Sequence, residues 1–200
     1  MNFLGTIFME IILASSSQYR AKILKQLKVK FKVKKPLFDE KPFSNEKPIS
    51  LVKRLSLGKA QSIAILKQNK NCLIIGSDQV AVFKNKIIGK PLNKKNSIKQ
   101  LKDFCGNKVI FYTGLAILNH PENKFHTAYT KTTIYYRSFS KAEMLYALKI
   151  EKAYDCVGAS KIEGYGISLV EKVISTDPTA IIGLPLIKLC KVLRSYGVKV

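Results

Sequence analysis

Carboxylates are scarce in this chain, so their positions are informative. The 200 residues contain 13 Asp and Glu against 35 Lys and Arg, which gives a formal net charge of +22. Three acidic sites lie among small, polar or glycine residues instead of on a helical face: Asp39-Glu40, Asp78 in GSDQV and Glu163 in KIEGYG. Carboxylates surrounded by cations can hold a hard divalent ion next to a phosphate. The pattern therefore predicts a site that handles a metal ion and a phosphate.

Hydroxyl and basic residues supply the phosphate-binding part of that prediction. ASSSQYR places serines between a predicted strand and a predicted helix, with Arg20 in the first helical turn. Helix N-terminal amides and a nearby guanidinium bind phosphate well. Lys59 and Lys90 are further candidates, although each of these features alone is also typical of an ordinary capped helix or a solvated charge.

The metal, if present, should be held by oxygen atoms. His120 and His126 are the only histidines, and the cysteines are widely spaced without a CxxC pair, which disfavours a zinc ribbon. Mg²⁺ or Mn²⁺ is therefore the expected cofactor. The unpaired spacing also favours a reducing, cytoplasmic setting, with Cys72 and Cys190 expected as reduced core residues.

Alternating strand and helix patterns indicate the elements that must position these residues. Asp78 follows a buried apolar run that should end near Gly76 and resume at Val80, which would place the carboxylate at the ligand-binding edge of a sheet. A turn-capping Asp is the alternative. The remaining expected elements of this part are strands at 10–14, 29–35 (half-buried) and about 87–91, with helices at 15–28, 49–67 and 93–105.

The second part of the chain is richer in strand signals. VIFYTGLAIL and TAYTKTTIYY are expected to form a hairpin across HPENK, and Ser140 with Glu143 predicts a helix capping box. A glycine-rich segment at 158–166 precedes a last helix that ends at Gly197. We expect one α/β domain over residues 1–200: a mixed twisted sheet flanked by helices, in two lobes around a central cleft.

The first residues and the excess positive charge carry less information. Residues 1–8 are interpreted as an extension, with Met9 an alternative start, because the apolar opening is interrupted by Glu10 and is too short to cross a membrane. The lysines are scattered without a dense basic cluster, which favours compositional bias over nucleic-acid binding. Neither a membrane nor a nucleic acid is the expected partner.

Taken together, these motifs resemble the Maf family of nucleotide pyrophosphatases over nearly the whole chain. The family's inosine-triphosphatase-like fold agrees with the predicted sheet. One departure is visible, because the family usually has Pro where this chain has Gln18. The motifs that carry the resemblance are ASSSQYR, Asp39-Glu40, Gly58-Lys59-Ala60, Gly76-Ser77-Asp78, Gly89-Lys90-Pro91, Tyr112-Thr113-Gly114 and Asp177–Pro185.

The resemblance implies hydrolysis of a nucleoside triphosphate between its α and β phosphates. Asp78 would be the catalytic general base and a metal ligand together with Glu40. The phosphates would be bound by four further residues: Ser15, Arg20, Lys59 and Lys90. The resemblance implies a nucleotide substrate as a partner and also makes a homodimer with a second copy of the chain plausible.

Three residues resemble the branch of the family that hydrolyses 7-methyl-GTP: Tyr19, Gln79 and Glu163. A carboxylate such as Glu163 can accept both donors of the guanine edge, and an aromatic ring favours the cationic methylated base. A pyrophosphatase for dTTP, UTP or another modified nucleotide is the alternative within the enzyme class. A cell-division effector linked to septum formation, or a basic nucleic-acid-binding protein, is the alternative from another class.

Overall fold

A computed structural model describes residues 9–66 and 71–200, and its described part forms an α/β fold built on a seven-stranded sheet. The strands are β1 (Glu10–Ala14), β2 (Phe31–Lys34), β3 (Cys72–Phe83), β4 (Lys86–Ile88), β5 (Lys108–His120), β6 (Lys124–Tyr136) and β7 (Val170–Ser175). The helices are α1 (Gln18–Leu24), α2 (Pro48–Ala64), α3 (Lys94–Phe104), α4 (Lys141–Glu151) and α5 (Leu186–Ser195). Short 3₁₀ turns cover Lys25–Leu27, Tyr165–Leu169 and Ala180–Ile182.

The sheet is mixed, as predicted. Its strand order is β2-β1-β3-β5-β6-β7, with β4 paired to the far end of β3. β1 pairs in parallel with both β2 and β3, whereas β3, β5, β6 and β7 pair antiparallel. The pairing of β1 with β3 ends where Ala14 meets Gly76, so β3 and β5 continue beyond the last residue of β1.

The expected interruption of β3 at Gly76 is wrong. β3 runs unbroken from Cys72 to Phe83, and Gly76 is paired on both sides, with Ala14 and Ala116. Asp78 therefore lies within the strand, opposite Gly114, two residues beyond the end of the β1 pairing. The carboxylate still lies at the carboxyl edge of the parallel strands, because it is β1 that ends there.

Glycines in β3 and β5 explain how α2 lies so close to the sheet. A Cβ atom on Gly76 would overlap the backbone oxygen of Ser56, and one on Gly114 would overlap the backbone oxygen of Val52. Ser56 itself is fully buried and donates a hydrogen bond to Val52 O at 2.6 Å. The absence of side chains at these two sheet positions thus sets the height of α2 above β3.

Two separate groups of buried apolar side chains match the expected lobes. One includes residues of β1, α1 and α5, for example Leu13, Leu24 and Leu189. The other is built around β5, β6, α3 and α4 and includes Phe104 and Tyr136. The same sheet passes through both groups, and the cavity described below is lined by residues from each.

Most of the other predicted elements are confirmed, with differences at the edges. The β5–β6 hairpin forms, and Ser140 and Glu143 make both hydrogen bonds of a capping box on α4. β2 is shorter than predicted and mostly exposed, because it lies at the sheet edge, where Val33 remains 48% exposed.

The predictions about the cysteines and the chain start have mixed outcomes. Cys72 is buried, but Cys190 is only partly buried. The predicted extension at 1–8 lies outside the described residues, whereas α2 ends at Ala64, before its predicted end at about Lys67. Within 9–66 and 71–200, no helix has the length and apolar character needed to cross a bilayer.

Candidate functional site

A cavity of about 700 Å³ opens between the two lobes, and all the predicted site residues line it. Its lining includes two groups of charged and polar side chains. The reaction wall consists of Arg20, Glu40, Lys59 and Asp78, and the base wall consists of Tyr19, Asp155, Lys161 and Glu163. The other predicted residues that line the cavity are Ser15, Gln79 and Lys90.

A buried lysine connects the two carboxylates of the reaction wall. The Nζ atom of Lys59 lies 2.6 Å from Asp78 Oδ1 and 2.9 Å from Glu40 Oε1. Lys59 is 4% exposed and Asp78 is 7% exposed. Asp78 Oδ2 makes no hydrogen bond within the part of the chain that the structure describes. One oxygen of the buried carboxylate is thus held by the ammonium, while the other is left to meet a ligand.

The loop that carries Glu40 is attached to α2 at two points. The ring of Phe38 lies so close to Gly58 that a Cβ atom there would overlap it. Arg54 forms a two-pronged ion pair with Glu46, with both N–O distances at 2.7 Å, and also donates to Lys41 O at 3.0 Å. These contacts hold Glu40 over Lys59 although the loop has no regular secondary structure.

Arg20 is held by the backbone of the opposite end of the chain. Its Nε donates to Gly183 O at 2.8 Å, and Ser77 Oγ lies 2.8 Å from the same oxygen. Burial lowers the pKa of Arg20, and the charges of Asp78 and Glu40 partly offset that effect. A guanidinium titrates so far above neutrality that Arg20 remains charged, and it lines the cavity together with Glu40 and Asp78.

The segment before α1 provides hydroxyl and amide groups beside Arg20. Ser15 is buried, and its Oγ accepts from Ser17 N at 3.1 Å. Ser17 in turn caps α1 by accepting from Arg20 N at 3.4 Å. The predicted serine-rich start of the helix is therefore confirmed, without requiring Pro in place of Gln18.

The Asp177–Pro185 motif has a structural role that the sequence reasoning did not assign. Asp177 is 1% exposed, and its Oδ2 accepts from Ile187 N at 2.8 Å in the first turn of α5. Its Oδ1 accepts from the Thr179 hydroxyl at 2.7 Å. These bonds fix the turn whose Gly183 carbonyl holds Arg20. In the sequence, the signal for this role was an Asp-Pro pair shortly before the start of a helix.

Gln79 lines the cavity but is largely occupied by the same turn. Its Nε2 lies 2.9 Å from Thr113 Oγ1, 3.0 Å from Ala180 O and 3.0 Å from Ile181 O. The amide nitrogen is therefore saturated, and the side-chain oxygen is the atom left for a ligand. A contact with substrate through that oxygen stays a prediction.

The base wall is held by longer and more exposed contacts. The Tyr19 hydroxyl lies 3.4 Å from Asp155 Oδ2, and Lys161 Nζ lies 5.3 Å from the centre of the Tyr19 ring. Burial raises the pKa of Tyr19, so the phenol is neutral at physiological pH. Glu163 is exposed at the same wall.

Two cavity residues, Asp155 and Lys161, were missed. Lys161 was within reach of sequence reasoning, because it lies two positions before Glu163 in the glycine-rich segment. Asp155 gave no signal of its own. Lys90 follows β4 on the exposed rim, so the structure brings it to the cavity but not to the triad of Lys59, Asp78 and Glu40.

The fit of a divalent ion can be tested on the donor set. Within the described residues, no group of three or more His, Cys, Asp and Glu side chains converges. Glu40 and Asp78 do converge, and the Lys59 ammonium between them lies where a metal ion could contact both carboxylates. Two carboxylates plus phosphate oxygens form a usual Mg²⁺ environment. The residues present therefore suit an ion that shares its ligands with a bound phosphate.

Comparison with known proteins supports the resemblance to the Maf family. Residues 10–196 match the family described as "Maf-like protein". A protein of Hahella chejuensis named 7-methyl-GTP pyrophosphatase is 40% identical over 95% of both chains. Proteins with the same name from Aliivibrio fischeri (40% identical, 96% of this chain and 98% of the relative) and Albidiferax ferrireducens (36% identical, 96% and 95%) also match. The chain therefore belongs to the Maf family.

Proposed function

We propose that this protein is a nucleoside triphosphate pyrophosphatase that hydrolyses 7-methyl-GTP to 7-methyl-GMP and pyrophosphate. The observation that carries the proposal is the buried ion pair of Lys59 and Asp78, with Glu40 on the same ammonium, at the wall of a cavity large enough for a nucleotide. The name shared by relatives at 36–40% identity supports the substrate.

The reaction requires a water molecule to attack the α-phosphorus in line with the leaving pyrophosphate. Asp78 Oδ2 receives the proton of that water as its oxygen bonds to phosphorus and the bond to the bridging oxygen breaks. Lys59 holds Oδ1 at 2.6 Å, so the carboxylate is fixed in orientation and Oδ2 is the oxygen left for the water molecule. Orientation of this kind removes part of the entropic barrier.

Positive charge on the reaction wall meets the negative charge of the triphosphate. Arg20 is directed by its bond to Gly183 O, so its two terminal nitrogens can bind phosphate oxygens in parallel. Lys59 has a third N–H beyond the two that its carboxylate partners accept. Lys90 on the rim and the hydroxyl of Ser15 supply further contacts to the outer phosphates.

A divalent ion fits beside Glu40 and Asp78. When bound there, Mg²⁺ or Mn²⁺ supplies charge neutralisation of the phosphates and a lowered pKa for coordinated water. The residues that hold it also fix Lys59, so loss of either carboxylate should affect both functions.

The base wall has the chemistry to select a methylated guanine. Glu163 is a carboxylate acceptor for the N1–H and 2-amino donors, and the ring of Tyr19 attracts the cationic base. Gln79 contributes its side-chain oxygen. Cys105, Cys156 and Cys190 are free thiols, which supports a reducing, cytoplasmic setting for the enzyme. A homodimer stays a prediction from the family resemblance.

The experiment that tests the proposal is pyrophosphate release from 7-methyl-GTP, GTP, dTTP and UTP, with Mg²⁺ or Mn²⁺ present. We expect 7-methyl-GTP to be hydrolysed with the highest kcat/KM. Preference for dTTP or UTP would keep the reaction and reject the specificity. No hydrolysis of any nucleotide, together with salt-sensitive binding to heparin, would favour a basic effector protein.

A further inference from the structure

The triad of Lys59, Asp78 and Glu40 has a consequence for how the site is assembled. We infer that the Lys59 ammonium occupies the divalent-cation position of the nucleotide-free protein, so that metal and nucleotide bind synergistically instead of independently. This inference rests on the proposed function, because it concerns the metal and nucleotide of that reaction. The affinities for the metal ion and for the nucleotide should therefore be coupled, and Lys59 should be the cause of that coupling.

The geometry places a single cation between two carboxylates from distant parts of the chain. Asp78 belongs to β3 and Glu40 to the loop before α2, and both face Lys59 Nζ at 2.6 and 2.9 Å. The side chains of Lys59 and Asp78 are only 5% and 10% exposed, so water screens their contact poorly, whereas Glu40 is 58% exposed and its contact is screened more. An ion bridging the same two oxygens would have to displace the ammonium.

Local charge explains why the ion should bind weakly alone. The two carboxylates carry two negative charges, which Lys59 and the neighbouring Arg20 balance, since Arg20 also interacts electrostatically with Asp78 and Glu40. Within the described residues, no third His, Cys, Asp or Glu joins these two carboxylates. A divalent ion added to this neutral cluster gains little attraction and must displace a buried ion pair.

A triphosphate changes that balance. Its negative oxygens are new acceptors for Lys59, whose flexible stem and three donors let it turn from carboxylate to phosphate. Oxygens of Asp78 and Glu40 then become ligands for an ion that also takes phosphate oxygens. Because linkage is reciprocal, the nucleotide raises metal affinity by the same factor as the metal raises nucleotide affinity.

The test measures Mn²⁺ binding to the full chain without nucleotide, from the loss of the free-Mn²⁺ electron paramagnetic resonance signal. Lys59→Met should bind Mn²⁺ about tenfold more tightly than wild type, within the usual range of coupling between sites. Lys90→Met is the matched control, because it removes the same charge from the cavity rim without touching the triad, and its affinity should stay close to wild type. Adding Glu40→Gln to Lys59→Met should abolish the gain.

Two outcomes overturn the inference. Equal Mn²⁺ affinity in wild type and Lys59→Met would show that the ammonium does not compete. An equal gain in Lys90→Met would show a general charge effect. If Lys59→Met does not fold, as judged by circular dichroism, Lys59→Gln serves in its place, since it keeps hydrogen-bond donors and loses the charge.

The wild-type protein provides an independent arm. The α,β-methylene analogue of 7-methyl-GTP, which cannot be cleaved at that bond, should raise Mn²⁺ affinity about tenfold after the Mn²⁺ complex of the free analogue is accounted for. No increase would contradict the inference. If the wild-type protein hydrolyses no nucleotide but Lys59→Met still binds Mn²⁺ more tightly, the proposed function is rejected and the competition between Lys59 and the metal ion is kept.

Discussion

The two walls of the cavity are built in different ways. On the reaction wall, Lys59 and Asp78 are almost fully buried, lie on α2 and β3, and contact each other at 2.6 Å. On the base wall, Asp155 and Glu163 are exposed and belong to a segment outside helices and strands. The contact of Asp155 with Tyr19 is a long 3.4 Å. The residues expected to carry the reaction thus lie on regular secondary structure, whereas Asp155 and Glu163 of the base wall do not.

This difference has an energetic meaning. Removing one partner of a buried ion pair leaves an uncompensated charge and destabilises the fold, whereas exposed charges contribute little to stability. Substitutions on the reaction wall should therefore change activity and stability together. Substitutions on the base wall should change substrate choice alone, which would let such a cavity acquire new nucleotide preferences without loss of the fold.

The largest effect is expected at Asp78. Asp78→Asn keeps the shape of the side chain but removes the proton acceptor, so kcat for pyrophosphate release should fall by about 10²–10⁴-fold. Asp103→Asn, on the exposed surface of α3, is the control for a general effect of lost charge. The variant should still fold, with an unchanged circular dichroism spectrum, because Lys59 retains Glu40 as a partner, but its free energy of unfolding should be lower. Activity close to wild type would remove Asp78 from the role of base.

The next effect concerns the distance between α2 and the sheet. Gly76→Ala inserts a methyl group against the backbone oxygen of Ser56, so α2 must move. Overpacking of this kind lowers the free energy of unfolding by about 1–3 kcal/mol. Because α2 carries Lys59, kcat should fall as well.

Gly89→Ala is the matched control for that substitution, since no atom lies within 4 Å of a Cβ atom built there. Chemical denaturation of both variants, with kcat measured in parallel, checks the prediction. A stable Gly76→Ala variant with full activity would show that the reaction wall tolerates movement of α2.

How far the sequence predicts these features depends on where each signal lies. The capping box of α4 and the β5–β6 hairpin are local patterns, and both are confirmed. The unbroken β3 was missed because glycine weakens the interior of a strand, whereas Gly76 makes room for α2, which packs on it from elsewhere in the chain. Lateral packing between distant segments leaves no local pattern to detect.

The candidate site shows the same limit. Motif residues such as Arg20 and Lys59 were predicted to meet, and the structure brings them to one cavity. The supports that orient them were not predicted: Gly183 O for Arg20, and Asp177 for the turn that carries Gly183. Each of these contacts joins a side chain to the backbone of another segment, and residue identity alone does not encode it.

A moderate effect on selectivity is expected from the base wall. Glu163→Gln keeps size but removes the negative charge that would attract methylated guanine. The hydrogen bonds to the guanine edge are common to both nucleotides, whereas the attraction to the cationic base is made only with 7-methyl-GTP. The ratio of kcat/KM for 7-methyl-GTP to that for GTP should therefore fall about tenfold, which corresponds to about 1.4 kcal/mol. Thermal stability should not change, because Glu163 is exposed. An unchanged ratio, or a loss of stability, would contradict the division between the two walls.

The smallest effect concerns the half-buried ion pair of Arg54 and Glu46, which supports the loop that carries Glu40. The hydrogen bond from Arg54 holds the pKa of Glu46 below its usual value. As pH falls, the unfolded chain therefore takes up this proton before the folded chain does. The stabilisation by the pair is complete above the ordinary carboxyl range and is lost on descending through the lowered pKa.

Arg54→Met should accordingly lower the free energy of unfolding by less than about 1 kcal/mol near pH 7, and by less still under acidic conditions. The loop that carries Glu40 should also loosen, because Arg54 no longer holds Glu46 and Lys41 O. Urea denaturation of wild type and Arg54→Met between pH 7 and pH 3 measures the first effect. A stability difference that grows as pH falls would show that Glu46 is not held in its charged form.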